Sequence, residues 1–234
     1  MKTLVSVLAL TLAAPAFAQE ASPLSFNASI TSDYRYRGIS QTRLNPALQG
    51  GLDYAAPSGF YLGAWASTIK WIKDAGGDAQ AEIDLYGGYK TEVAPGLTLD
   101  VGLLQYVYPS HKLAVSPHTL EVYGALSFGV VTAKYSHSTS NLFGFADSKN
   151  SGYFDLTANV DIGNGMTLTP HVGHQTVKRN AAASYTDWSL TLAKDFSGLV
   201  VSGAIVGTDA DGYVGANGKD LGKTRLVVSL KKVF

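Results

Sequence analysis

Taking every second residue from Leu24 to Arg37 separates the stretch into two lists. Leu24, Phe26, Ala28, Ile30, Ser32, Tyr34 and Tyr36 are mostly apolar, whereas Ser25, Asn27, Ser29, Thr31, Asp33, Arg35 and Arg37 are all polar. A period of two is a β-strand with one apolar and one polar face, and the pattern predicts a first strand running through this stretch towards Ser40. The alternation returns along the whole chain. Leu48, Leu52 and Tyr54 oppose Gln49 and Asp53, and Ile83, Leu85 and Tyr89 oppose Glu82, Asp84 and Lys90. Leu120, Val122, Leu126 and Phe128 oppose Thr119, Glu121 and Tyr123, and Trp188, Leu190 and Leu192 oppose Asp187, Ser189 and Thr191. The stretch from Phe60 to Ser67 is ambiguous in parity and is read with Phe60, Leu62, Ala64 and Ala66 as its apolar face. About twelve such segments of roughly 9–12 residues follow, the length a tilted strand needs to cross a bilayer.

The connections alternate as well. Ala56–Gly59, Thr91–Gly96, Gly129, Ile162–Gly165 and Asp195–Gly198 are short and rich in Gly, Pro, Asn or Ser, the residues of tight turns. Gly38–Asn45, Thr68–Asp78, Pro109–Pro117, Thr139–Asn150, Thr176–Ala183 and Asp209–Gly222 are longer. Short turns at one end and longer loops at the other are the layout of an outer-membrane barrel. The fold expected is all-β: a transmembrane antiparallel up-and-down β-barrel of about 12 strands.

Two faces leave open which one points inward. A barrel of about twelve strands encloses more room than side chains fill, so a polar interior suits a wet lumen. Apolar-list aromatics also gather where strands meet the short turns: Tyr54, Phe60, Tyr89, Phe128 and Phe234. Such rings at one height form an interfacial girdle, and Tyr34 and Tyr36 are assigned to the opposite girdle. The greasy list is therefore expected to face lipid and the polar list to line a lumen.

The first residues change the picture of the N-terminus. Met1-Lys2-Thr3 is a short positive segment, Leu4 to Ala14 is apolar, and Ala16-Phe17-Ala18 is a small-x-small cleavage site, the anatomy of a secretory signal peptide. Residues 1–18 are read as that leader and 19–234 as one barrel domain, with Gln19 the new N-terminus. The chain has no cysteine, and its 18 Lys+Arg balance 18 Asp+Glu. Export without cysteine excludes a disulfide scaffold, and neutrality argues against a nucleic-acid partner. The terminal Phe234 on an alternating strand is similar to the C-terminal signal read by the barrel assembly machinery, with Lys232 departing from that pattern.

The stretch SDYRYRGIS (Ser32 to Ser40), with PALQGGLDYAAPSGFYLGAWAS (Pro46 to Ser67) and EIDLYGGY (Glu82 to Tyr89), resembles the TorF family of porin-like proteins, also called Gcw_chp. The resemblance implies an outer-membrane barrel and a porin role. It supplies no catalytic or substrate-binding residues.

In a pore, chemistry means selectivity, set by diameter and lumen charge. Parity assigns Arg35, Arg37 and Arg225, with Asp33 beside them, to the outer half of the lumen, and Glu82, Asp84, Glu121 and Asp187 to other strands. A basic cluster facing an acidic one would set a transverse field; the alternative is neighbouring ion pairs that neutralise one another. Acidic lining residues slightly outnumber basic ones, so at most a weak cation preference is expected. Inward-folded loops could occlude such a lumen.

Enzymatic motifs are incomplete. In YSHSTSN (Tyr135 to Asn141) the residue two after His137 is Thr139, not the serine of outer-membrane phospholipases, so base and nucleophile do not share a face. Asp209 and Asp211 have no histidine beside them, and the run from Asp209 to Asp220 lacks the EF-hand glycine, with Val214 at the sixth place. No cofactor or metal is expected. The expected function is a porin-like channel for passive diffusion of small polar solutes or ions, with outer-membrane lipids and the assembly machinery as partners. The alternatives are a non-conducting barrel acting in adhesion through its extracellular loops and, behind that, a barrel hydrolase.

Overall fold

A computed structural model describes residues 22–234; the expected leader at 1–18 and the new terminus at Gln19 lie outside the described residues. Twelve antiparallel strands cross the molecule: β1 (Leu24–Thr31), β2 (Ala47–Ala55), β3 (Phe60–Thr68), β4 (Ala81–Ala94), β5 (Leu97–Val107), β6 (Thr119–Phe128), β7 (Val131–Ser138), β8 (Gly152–Ala158, continued as Val160–Gly163), β9 (Met166–Thr176), β10 (Tyr185–Asp195), β11 (Leu199–Thr208) and β12 (Arg225–Val233). Each pairs with its neighbours in sequence. β1 also pairs with β12, through Asn27↔Val233 to Thr31↔Ser229, which closes the sheet and removes its edges. Among the described residues helix is confined to Trp71–Asp74 and a 3₁₀ turn at Ala181–Ala183.

The short turns use the backbone geometry their residues allow. Asn164 and Gly165 both have positive φ, 54° and 69°, the requirement of a two-residue type I′ hairpin. Both chain ends described and all the short turns lie at one end of the barrel, with the six longer loops at the other.

The orientation of the faces follows from exposure. Phe26 is 48% exposed, Leu48 63% and Leu226 67%, whereas Glu82 is 1% and Glu121 2% exposed. An apolar outer wall around a polar interior is stable only where the outside is hydrocarbon, because burying charge while wetting leucine is unfavourable in water. This is a transmembrane barrel of the outer-membrane type.

Inward-facing glycines let rings lie flat on the wall. Gly63 pairs directly with Tyr86 and Gly88 with Tyr61. A Cβ at Gly63 would stand 2.5 Å from the Tyr86 ring, and one at Gly88 2.5 Å from the Tyr61 hydroxyl. No side chain fits beneath either tyrosine. Such aromatic cover over glycine also pins strand register.

One element differs from the expectation. The first strand ends at Thr31, not near Ser40. Val228 N–H donates to the Ser32 hydroxyl at 2.9 Å in place of a further ladder bond, and Thr31 Oγ1 donates to the Asp33 carbonyl at 3.1 Å. The chain then turns inward. Tyr34 and Tyr36 consequently lie inside the barrel, not on the lipid face: Tyr34 is buried and Tyr36 packs against the same interior aromatic cluster. Alternation persisted past Thr31 because the inward segment carries its own two-residue ladder.

Candidate pore and its crossing hairpin

The segment 32–46 is a hairpin laid across the lumen at the long-loop end. Its ladder pairs Arg35 with Ser40 and Tyr36 with Ile39, so Arg37 and Gly38 form the tip, both with positive φ (45° and 82°). Asp33 holds the base together. Its carboxylate accepts from Ser40 Oγ at 2.5 Å, Thr42 Oγ1 at 3.0 Å and Arg35 Nε at 2.6 Å. Arg35 Nη1 also donates to the carbonyls of Gly38 (2.8 Å) and Leu221 (3.0 Å). Asp33 and Arg35 are thus spent on the hairpin itself as a neutral pair.

Successive residues then touch successive strands around the wall. Tyr34 Oη donates to Glu82 of β4 at 2.5 Å, and Tyr36 Oη to Tyr106 Oη of β5 at 2.8 Å. Arg37 Nη2 donates to both carboxylate oxygens of Glu121 on β6, at 3.0 and 2.8 Å. Arg37 Nη1 donates to Gln175 Oε1 of β9 at 2.5 Å. The guanidinium also stacks 4.0 Å from the centroid of Tyr153 on β8, a cation–π contact. Gly38 sits against β10 and β11: a Cβ there would stand 2.8 Å from Asp187 Cβ and 3.0 Å from Thr208 Cβ.

The base is tied to the other loops. Lys70 N–H donates to Gln41 O at 2.7 Å and Ser40 N–H to Leu221 O at 3.0 Å. Edge-on rings fill the space beside it: Tyr34 on Trp65, Tyr36 on Phe143 and Tyr106 on Phe143, with centroids 5.3, 5.3 and 5.0 Å apart.

The remaining charges named from parity scatter around this hairpin. Glu82 is taken by Tyr34. Asp84 has a buried carboxylate oxygen with no hydrogen-bond partner among the described residues. Asp187 accepts from Tyr153 Oη at 3.0 Å, and Arg225 is an exposed residue at the long-loop end of β12. Arg35 and Arg37 therefore do not gather with Arg225 into one basic cluster. Each is paired with a carboxylate, Arg35 with Asp33 inside the hairpin and Arg37 with Glu121 on a far strand, which the folded-in tip brings within reach.

Other interior groups were legible only as polar parity. His171 Nε2 lies 2.7 Å from Asp155 Oδ2 and Nδ1 3.7 Å from Asp187 Oδ1. Tyr61 Oη donates to Asp100 at 2.6 Å, Tyr86 Oη to Asp53, and Lys134 Nζ lies 4.2 Å from the Tyr123 centroid. Among the described residues no three His, Cys, Asp or Glu side chains group as a metal site. On the outer wall at the short-turn end, Phe60 packs against Tyr89 with centroids 4.9 Å apart. Tyr54, Phe128 and Phe234 are exposed at that end, and Lys232 Nζ donates to Ser197 O at 3.3 Å.

The fold is similar to solved porins. The KdgM porin is 6% identical, with 90% of this chain and 98% of that one covered, at a TM-score of 0.58. The NanC porin is 12% identical, with the same coverage and a TM-score of 0.57. A KdgM porin in complex with disordered oligogalacturonate is 6% identical over the same shares, with a TM-score of 0.56. At these identities the likeness is one of fold. No curated protein matches the sequence. The family described as "Bacterial protein of unknown function (Gcw_chp)" matches residues 16–234, and the chain, a closed twelve-stranded barrel with a hairpin across its lumen, belongs to that family.

Proposed function

We propose that the protein is an outer-membrane channel for passive diffusion of small polar solutes or ions. The observation that carries this is the closed barrel with an exposed apolar wall and a charged, hydrogen-bonding inner wall. Solutes would diffuse through a water-filled lumen bounded by that wall, its charges setting preference. Asp53, Asp84, Asp100, Asp155 and Asp187 lie on inward positions against Lys90, Lys134 and Lys231, so the lining favours cations and neutral solutes weakly. A polyanion such as the oligogalacturonate held by the KdgM porin would meet more repulsion than attraction here.

The second reading is a barrel that does not conduct and works through its external loops. The hairpin across the lumen favours it. A hydrolase is less well supported: His137 Nε2 meets Asn150 Oδ1 at 3.2 Å and His174 Nδ1 meets Thr186 Oγ1 at 3.0 Å. Neither imidazole has a carboxylate orienting its second nitrogen among the described hydrogen bonds, and His171, which does have acidic neighbours, has no Ser or Thr hydroxyl bonded to it there, whereas a nucleophile–base pair requires both.

Proteoliposome swelling decides between the first two. Uncharged and zwitterionic solutes of increasing size should enter at rates that fall with size; no swelling from inserted barrel would favour the non-conducting reading. The exposed Phe234 supports recognition of the last strand by the assembly machinery. Its deletion should lower membrane assembly in cells and leave refolding in detergent intact; equal loss in both would count against that role.

A further inference from the structure

We propose that the hairpin 32–46 is the gate of this channel, and that Arg37 is both its latch and the residue that sets the charge preference of the opening. The inference rests on the channel reading above. Thr31 and Ala47 face each other across the β1–β2 ladder, so a loop joining them could be closed by a tight turn at the rim. Instead the chain crosses the interior and reaches β4, β5, β6, β8, β9, β10 and β11 in turn.

The two ends of the hairpin are held differently. Its base is fixed by Asp33, Thr42 and Gln41 through short-range and loop–loop hydrogen bonds. Its tip is fixed to the far wall by the Arg37 side chain and the close seat of Gly38. A base fixed within the hairpin and its neighbouring loops, and a tip whose charged hold on the wall is Arg37 alone, suit an element with two positions.

The tip residue is itself unusual. A type I′ turn favours Asn, Asp or Gly at its first central position, and an arginine there sits in a sparsely populated backbone region. What the arginine supplies in return is the contact to Glu121, Gln175 and Tyr153, which a glycine or asparagine cannot reach. Glu121 is 2% exposed and the Arg37 side chain 7% exposed. A pair of that kind is little screened by salt, and either partner alone calls water into its place. Release of the tip and hydration of the mouth are therefore one event. Among the carboxylates of the long-loop half Arg37 pairs with Glu121, so removing it leaves that acid without its cation and the opening more acidic.

The test is planar-bilayer recording from the refolded mature protein under a salt gradient, with folding checked for every variant by heat-modifiable migration. The wild type is compared with Arg37→Ala, Arg37→Lys, Glu121→Gln and a variant in which 32–46 is replaced by a two-residue turn between Thr31 and Ala47. The inference predicts the largest conductance without the hairpin and a severalfold rise for Arg37→Ala with a shift towards cations. Arg37→Lys should also raise conductance, since it loses the planar fork, but with little change in selectivity. Glu121→Gln should raise conductance with a shift towards anions.

If the hairpin-free variant conducts more while the Arg37 and Glu121 variants match wild type, the latch is overturned and the channel stands. If the hairpin-free variant matches a conducting wild type, the hairpin is outside the permeation path and the gate is overturned. If every folded variant is silent, the channel reading fails and the gate with it.

Discussion

Tyr34 donates its phenolic hydrogen to Glu82 Oε1 at 2.5 Å, joining the hairpin to the inner face of β4 across 48 positions of sequence. Glu82 is almost wholly buried, and a buried carboxylate that loses a donor retains its desolvation cost. Tyr34→Phe should therefore lower stability by about 1–3 kcal/mol, read as an earlier urea midpoint for the liposome-inserted barrel. Glu82→Gln in the same background should recover part of that loss, because the uncharged amide tolerates burial better. Equal midpoints for Tyr34→Phe and wild type would mean that the bond contributes nothing.

The Tyr86 ring occupies the space that a side chain on Gly63 would need. Gly63→Val should cost about 1–3 kcal/mol by overpacking. Combining it with Tyr86→Ala should cost less than the sum of the two changes, since they share one site. Additive effects in denaturant titrations would contradict the packing account.

Asp84 carries a buried oxygen without a partner among the described residues, so any charge there would stand at a cost that an amide relieves. Asp84→Asn should fold at least as stably as wild type and move the reversal potential away from cations. A destabilised variant with unchanged selectivity would show instead that Asp84 has a structural partner.

Acid should loosen the loop between β5 and β6. His118 Nδ1 accepts from Tyr108 N–H at 3.0 Å and His111 Nδ1 from Leu113 N–H at 3.0 Å, and the two rings meet edge to face at 4.9 Å. The His118 bond needs an unprotonated Nδ1. Burial, followed by the neighbouring His111, holds His118 below the ordinary histidine value. Because the folded state disfavours the proton, the associated stability is fully present above about pH 6.5, the ordinary value, and is lost as pH falls from there through the lowered one. Hydrogen exchange should show weaker protection of residues 109–118 at pH 5 than at pH 7.5, with His118→Gln flattening the difference. Undiminished protection at pH 5 would refute this.

The barrel was legible in the sequence because each strand must present apolar side chains to lipid and polar ones to the lumen, and a period of two records that demand residue by residue. Leu48, Leu52 and Leu226 fall on the outer wall for this reason. The hairpin was not legible because the same period continues through Tyr34 and Tyr36 into a ladder two residues long. A tyrosine in an alternating list reads identically whether it meets headgroups or, as here, Glu82 and Tyr106. The distinguishing signals are the polar Ser32-Asp33 pair, just past the end of the first strand, and Arg37-Gly38, whose turn chemistry suits the start of a loop as well as the tip of one. Pairings such as Arg37 with Glu121 and Gln175 lie beyond parity altogether, since they depend on how far a loop folds inward.

Single-channel current of the refolded wild-type barrel in a planar bilayer under a salt gradient tests the central claim most directly. The account predicts small discrete conductance steps, limited by the hairpin, with a reversal potential displaced slightly towards cations. A barrel that is folded and inserted yet stays silent with the hairpin in place and with it excised would contradict it.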